Sequence, residues 1–85
     1  MIQEYVSNLA DKMGMKLSQI SLVDGNQLGC LDVYLLKISI KVHKVDALIF
    51  KTDIENLENG KVSDRMEVRT RSALNRLQVM LDQIN

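Results

Sequence analysis

The chain offers one histidine and one cysteine for chemistry, His43 and Cys30. General acid–base and nucleophilic catalysis bring a His together with a Cys, Ser or carboxylate. His43 reads as the end of an exposed strand face, an ordinary surface imidazole. Cys30 follows a turn glycine in phase with Tyr34 and Leu36. With nothing nearby in sequence to lower its pKa, it reads as a buried structural thiol. Asp53, Glu55 and Glu58 bring three carboxylates close together. They lack the ligand spacing and central glycine of a calcium loop. Gly25 and Gly29 share a G-x-x-x-G spacing, but no Gly-Lys-Ser/Thr follows, so they read as turn glycines. No catalytic residue, cofactor or metal ligand is assigned. The expectation is a protein that is not an enzyme.

The basic residues are more suggestive. All four arginines, Arg65, Arg69, Arg71 and Arg76, fall within twelve residues of one another. Arg65, Arg69 and Arg76 share a helical edge, and Lys37, Lys41, Lys44 and Lys51 form a second basic zone. Such rows attract phosphate backbones, so these three arginines are candidate nucleic-acid contacts. Against that, 11 Lys and Arg balance 11 Asp and Glu. Long Arg side chains also solvate a helix and cover its apolar flanks. That second reading is preferred.

These residues need a scaffold. Ile2, Val6, Leu9 and Met13 step by four, three and four, one stripe of a helix over about 2–13 that Gly14 ends. Residues 17–23 change period and lead into the turn Asp24-Gly25-Asn26. From 34 to 42, Tyr34, Leu36, Ile38, Ile40 and Val42 alternate with Lys37, Ser39 and Lys41, a strand with one face on a core. A third strand is expected over 47–54, after a loop of Lys44-Val45-Asp46. That register opposes Ile40 to Phe50 and Lys37 to Asp53. Asn59-Gly60 then closes the sheet. Ser63 or Asp64 caps a final helix whose stripe is Met66, Thr70, Ala73, Leu77, Met80 and Ile84.

The fold class is therefore α+β. One small domain spans 1–85 in the order α-β-β-β-α, a three-stranded antiparallel meander with helices packed on one face. The order is similar to that of double-stranded-RNA-binding domains, although the chain has neither a Gly-Pro-x-His loop nor a Lys-Lys-x-Ala-Lys helix start. Composition is ordinary for a globular domain, 46% hydrophobic and 26% charged. Without an apolar run near the ~18 residues of a membrane span, or a signal-like start, a soluble cytoplasmic protein is expected.

One imbalance remains. Leu31, Val33 and Leu35 lie opposite the core-facing set, and the expected register adds Ile49 to them. An apolar patch on a chain this small marks an interaction site. The function expected is a non-enzymatic protein–protein interaction module, a homodimer joined through Leu31, Val33, Leu35 and Ile49. A nucleic-acid-binding domain is the alternative.

Overall fold

The computed structural model describes residues 2–29 and 32–83. Its elements are α1 (Ile2–Lys12), β1 (Gln19–Asp24), a 3-10 turn (Gly25–Leu28), β2 (Val33–Ile40), β3 (His43–Phe50), α2 (Lys51–Glu58) and α3 (Asp64–Asp82). The strands form one antiparallel meander in the order β1-β2-β3. The expected order α-β-β-β-α is present, with α2 as an additional short helix.

Both long helices form where their stripes predict. Val6, Leu9 and Ala10 are the buried residues of α1. Ser63 caps α3 by accepting the Met66 N–H at 3.1 Å. Met66, Thr70, Ala73, Leu74 and Leu77 run buried along α3. They meet Leu36, Ile38, Val45, Ala47 and Ile49, which project from one face of the sheet. The Gln78 side chain donates to the Met13 carbonyl at 3.2 Å and ties α3 to the end of α1.

The β2–β3 connection differs from expectation. The loop is Lys41-Val42, and Lys44, Val45 and Asp46 lie inside β3. Ile40 pairs with His43, Ile38 with Val45, Leu36 with Ala47 and Tyr34 with Ile49. Lys37 thus opposes Asp46, not Asp53. Two-residue hairpin loops need positive φ to match strand twist, and Lys41 sits at φ 57°. Val42, expected on the buried face, is 83% exposed at the tip. The physical reason is a second alternation, Val45, Ala47 and Ile49 inward with Lys44 and Asp46 outward. It keeps both charges in water and still fills the core. His43 consequently opens β3 instead of closing the strand before it.

Residues 51–54, expected as strand, form the first turn of α2. Ile54 reaches the core from there, and Leu57 packs at its margin. Asn59 and Gly60 end α2 rather than the sheet, with Gly60 at φ 82°. The expected places of Cys30, Leu31 and Ile84 lie outside the described residues.

Lys41 holds a left-handed conformation that glycine adopts without steric cost. Lys41→Gly is therefore expected to stabilise the fold by up to about 1 kcal/mol in urea unfolding. An equally large loss would show that the loop conformation is relaxed.

Candidate interaction surfaces

Pairing parity settles which groups each strand presents. The Lys51 N–H donates to the Asp32 carbonyl at 2.9 Å, in the same register as the β2–β3 ladder. Bonded pairs in an antiparallel ladder alternate. The bonded pairs of β2 and β3 are therefore Tyr34–Ile49, Leu36–Ala47, Ile38–Val45 and Ile40–His43. On β3, the N–H and C=O groups of Lys44, Asp46 and Leu48 point away from the sheet, along a free edge.

The arginine row meets that edge. The Arg76 guanidinium donates to the Asp46 carbonyl at 2.8 Å, and Arg69 reaches the Leu48 carbonyl at 3.5 Å. Arg65 stacks on the Phe50 ring, 3.9 Å from its centroid, with Arg69 at 5.3 Å. Arg65 also binds both oxygens of Asp53, at 2.9 and 3.0 Å. Of the expected nucleic-acid contacts, Arg65, Arg69 and Arg76 thus all hold partners inside the chain. Arg71 pairs with Glu67 one turn away, at 3.1 Å.

Asp53 is the one charged residue of the acidic run that is buried; Glu55 and Glu58 are exposed. The Arg65 guanidinium, helped by the Ser63 hydroxyl, holds the Asp53 carboxyl below its ordinary range, against the opposing effect of burial. At the same end of the sheet, on its β1 side, the Asn26 N–H and the Lys51 ammonium, 3.1 Å away, lower the pKa of Asp24. The Lys51 ammonium also lies 5.3 Å from the centroid of the Tyr34 ring.

The sheet face away from α1 and α3 is divided. Val23, Leu35 and Leu48 are directly paired across the three strands, and Val33 pairs with Phe50 beside them. Leu48 is 44% exposed, and the other four are half-buried. Toward the hairpin tip the face is polar. Ser21, Lys37 and Asp46 form one cross-strand row, and Gln19, Ser39 and Lys44 the next. Arg76 and Met80 border the cleft these residues line.

Val33 and Leu35 therefore lie on the outer face, as expected. Ile49 does not. The shift of turn carries it to the core face, where it is fully buried, and brings Leu48 and Phe50 outward. Sequence reasoning missed Val23, Leu48 and Phe50 at this surface. The charged alternation at Lys44 and Asp46 was the signal that would have found the last two.

No family model, curated protein or solved structure matches this chain. Among the described residues, no helix is long and apolar enough to cross a membrane.

The Asp53–Arg65 pair is lopsided, with side chains 3% and 50% exposed. Arg65→Met leaves the buried Asp53 carboxylate only the Ser63 hydroxyl and removes its cation, at a cost of about 1–3 kcal/mol. Asp53→Asn keeps one oxygen for Arg65 and buries no charge, so its effect in thermal unfolding is expected to be smaller. Equal losses would show that the carboxylate rehydrates. The pH dependence follows from the lowered pKa. The pair's contribution is complete above the ordinary carboxylate value of 3.8 and is lost as pH falls through the lowered folded value. Asp53→Asn is expected to flatten this part of the acid limb; an unchanged limb would assign it to other carboxylates.

Proposed function

We propose that the chain is a protein–protein interaction module that self-associates as a homodimer through the outer face of its sheet. The observation behind this reading is the apolar row Val23–Leu35–Leu48, on the face away from the buried stripes of α1 and α3, with Val33 and Phe50 alongside. An aliphatic side chain fully withdrawn from water contributes about 1.5–3 kcal/mol. That is large against the ~5–15 kcal/mol that holds a small domain folded. Two such faces stacked about 10 Å apart would bury both rows at once. The neighbouring Lys37 and Asp46 give every copy both signs of charge beside its patch. A two-fold arrangement can use such a surface, because it joins a patch to its own duplicate.

A nucleic-acid role for Arg65, Arg69 and Arg76 is the weaker reading. Each would have to release a carbonyl, a carboxylate or the Phe50 ring before meeting phosphate. Nor does the reading as an interaction module require catalysis. His43 and Asp53 serve the β3 pairing and the Arg65 pair respectively.

Sedimentation velocity tests the proposal. The wild type is expected to dimerise by ~100 μM, with an unfolding midpoint that rises with concentration. Leu48→Lys places an ammonium within the patch, at its β3 side and at an already exposed position. This variant is expected to be monomeric and folded. A wild type that stays monomeric throughout would reject self-association. Duplex RNA binding by the monomer at ~50 mM salt, weakened in Arg69→Ala with Arg76→Ala, would favour the alternative.

A further inference from the structure

The two edges of the sheet are treated differently. A free strand edge presents unpaired N–H and C=O groups, and folded proteins cover it, charge it or shorten it. On β3 the outward carbonyls of Asp46 and Leu48 are taken by Arg76 and Arg69. The parity that exposes them also fixes the opposite edge. Even-numbered residues of β2 bond to β3, so its odd-numbered residues bond to β1, pairing Leu35 with Val23, Lys37 with Ser21 and Ser39 with Gln19. The Ser39 carbonyl does point that way, accepting the Ser18 N–H at 2.8 Å. Ile20 and Leu22 must then aim their N–H and C=O groups outward. None of the hydrogen bonds formed among the described residues reaches those groups. This edge also has no proline, and its first charged residue is Asp24.

A groove of about 500 Å³ runs beside this edge. Its walls are Ile20 on the strand and Gln3, Glu4, Ser7 and Asn8 on α1. An antiparallel strand added to β1 would place every second side chain beneath that polar wall. In the bonded positions opposite Ile20 and Leu22, those side chains share the face turned toward α1. Lys or Arg suits the place, with its aliphatic stem on Ile20 and Leu22 and its charge at Glu4. The intervening side chains would lie on the outer face and continue the apolar row beyond Val23, where β-branched residues fit best.

We propose that the open edge of β1 is a strand-addition site for an extended segment of a partner protein, basic on the side toward α1 and β-branched on the other. Recognition of this kind takes its affinity from main-chain hydrogen bonds and its specificity from alternate side chains. The site is separate from the outer face and does not rest on self-association. A second copy of β1 suits it poorly. The outward-bonding residues of that copy would be its own Ile20 and Leu22, so two aliphatic side chains would press against amide, hydroxyl and carboxylate groups.

The test uses a labelled, end-capped peptide, Val-Lys-Val-Arg-Val-Lys-Val, titrated against the full chain by fluorescence anisotropy. Binding is expected below ~1 mM, weakened at least about tenfold by N-methylation of the Lys and Arg residues and little by N-methylation of the valines. Glu4→Gln is expected to weaken binding about two- to fivefold, the loss of one exposed charge pair. Leu48→Lys is expected to leave it unchanged, which separates this site from any dimer face. Amide exchange supplies the position. Ile20 and Leu22 gain protection with peptide, whereas the Ser21 and Val23 amides are protected already. No binding at ~1 mM, or binding without new protection at Ile20 and Leu22, would overturn the proposal. Protection of those two amides in the free protein that grows with its concentration would overturn it too, by giving the edge to a second copy.

Discussion

The parity of the β2–β3 ladder governs this structure. Because Lys41 and Val42 form the loop, Ile40 pairs with His43 and every later residue of β3 takes its face from that pair. A slip of one residue would send Ile49 to water and Leu48 to the core. The same parity aims the Asp46 and Leu48 carbonyls at α3 and the Ile20 and Leu22 backbone groups at the opposite edge. Core, outer face and both edges are thus consequences of one short loop, held by a non-glycine residue at positive φ.

The arginines of α3 follow from this arrangement. A guanidinium presents several donors in a rigid fork, which suits carbonyls spaced along an extended strand. Arg69 and Arg76 lie seven residues apart, about 10 Å along a helix at 1.5 Å per residue. Asp46 and Leu48 lie about 7 Å apart along a strand. The two long side chains can absorb that mismatch, so a helix alongside the edge strand can plug it at two points. Arg65 extends the row to the end of β3, where it covers Phe50 and neutralises buried Asp53. Screening by salt and competition from water limit what each exposed contact adds. Their combined effect is to leave β3 a poor template for another strand.

Legibility in the sequence followed the length of each pattern. The α3 stripe from Met66 to Leu77 repeats over several turns, and the Ser63 cap lies where it was expected. Core-facing Tyr34, Leu36, Ile38 and Ile40 repeat over a whole strand. Residues 43–54 carried two competing alternations. Leu48 and Phe50 are bulkier than Val45 and Ala47, so hydrophobicity alone favours the wrong set. Charge decided otherwise, since the wrong set would have buried Lys44 and Asp46. The helix at Lys51–Glu58 was harder to read, because in eight residues only Ile54 and Leu57 mark an apolar side. Asp53 was hidden for a further reason. A carboxylate is buried only when a partner comes with it, and that partner lies twelve residues on, in another helix.

Stability and interaction are largely separated in such a fold. The fully buried large side chains, Leu36, Ile38, Ile49, Met66, Leu74 and Leu77, all lie between the sheet and its helices. Substitutions there open cavities and cost several kcal/mol. On the outer face, Leu48 already keeps close to half its surface in water, so changing it removes little that folding gains. The β1 edge is more independent still, since its outward backbone groups join no bond among the described residues. Surfaces that the folded chain does not use for its own cohesion are free to take their chemistry from a partner. In the reading proposed for this protein, those surfaces are the apolar half of the outer face and the open side of β1.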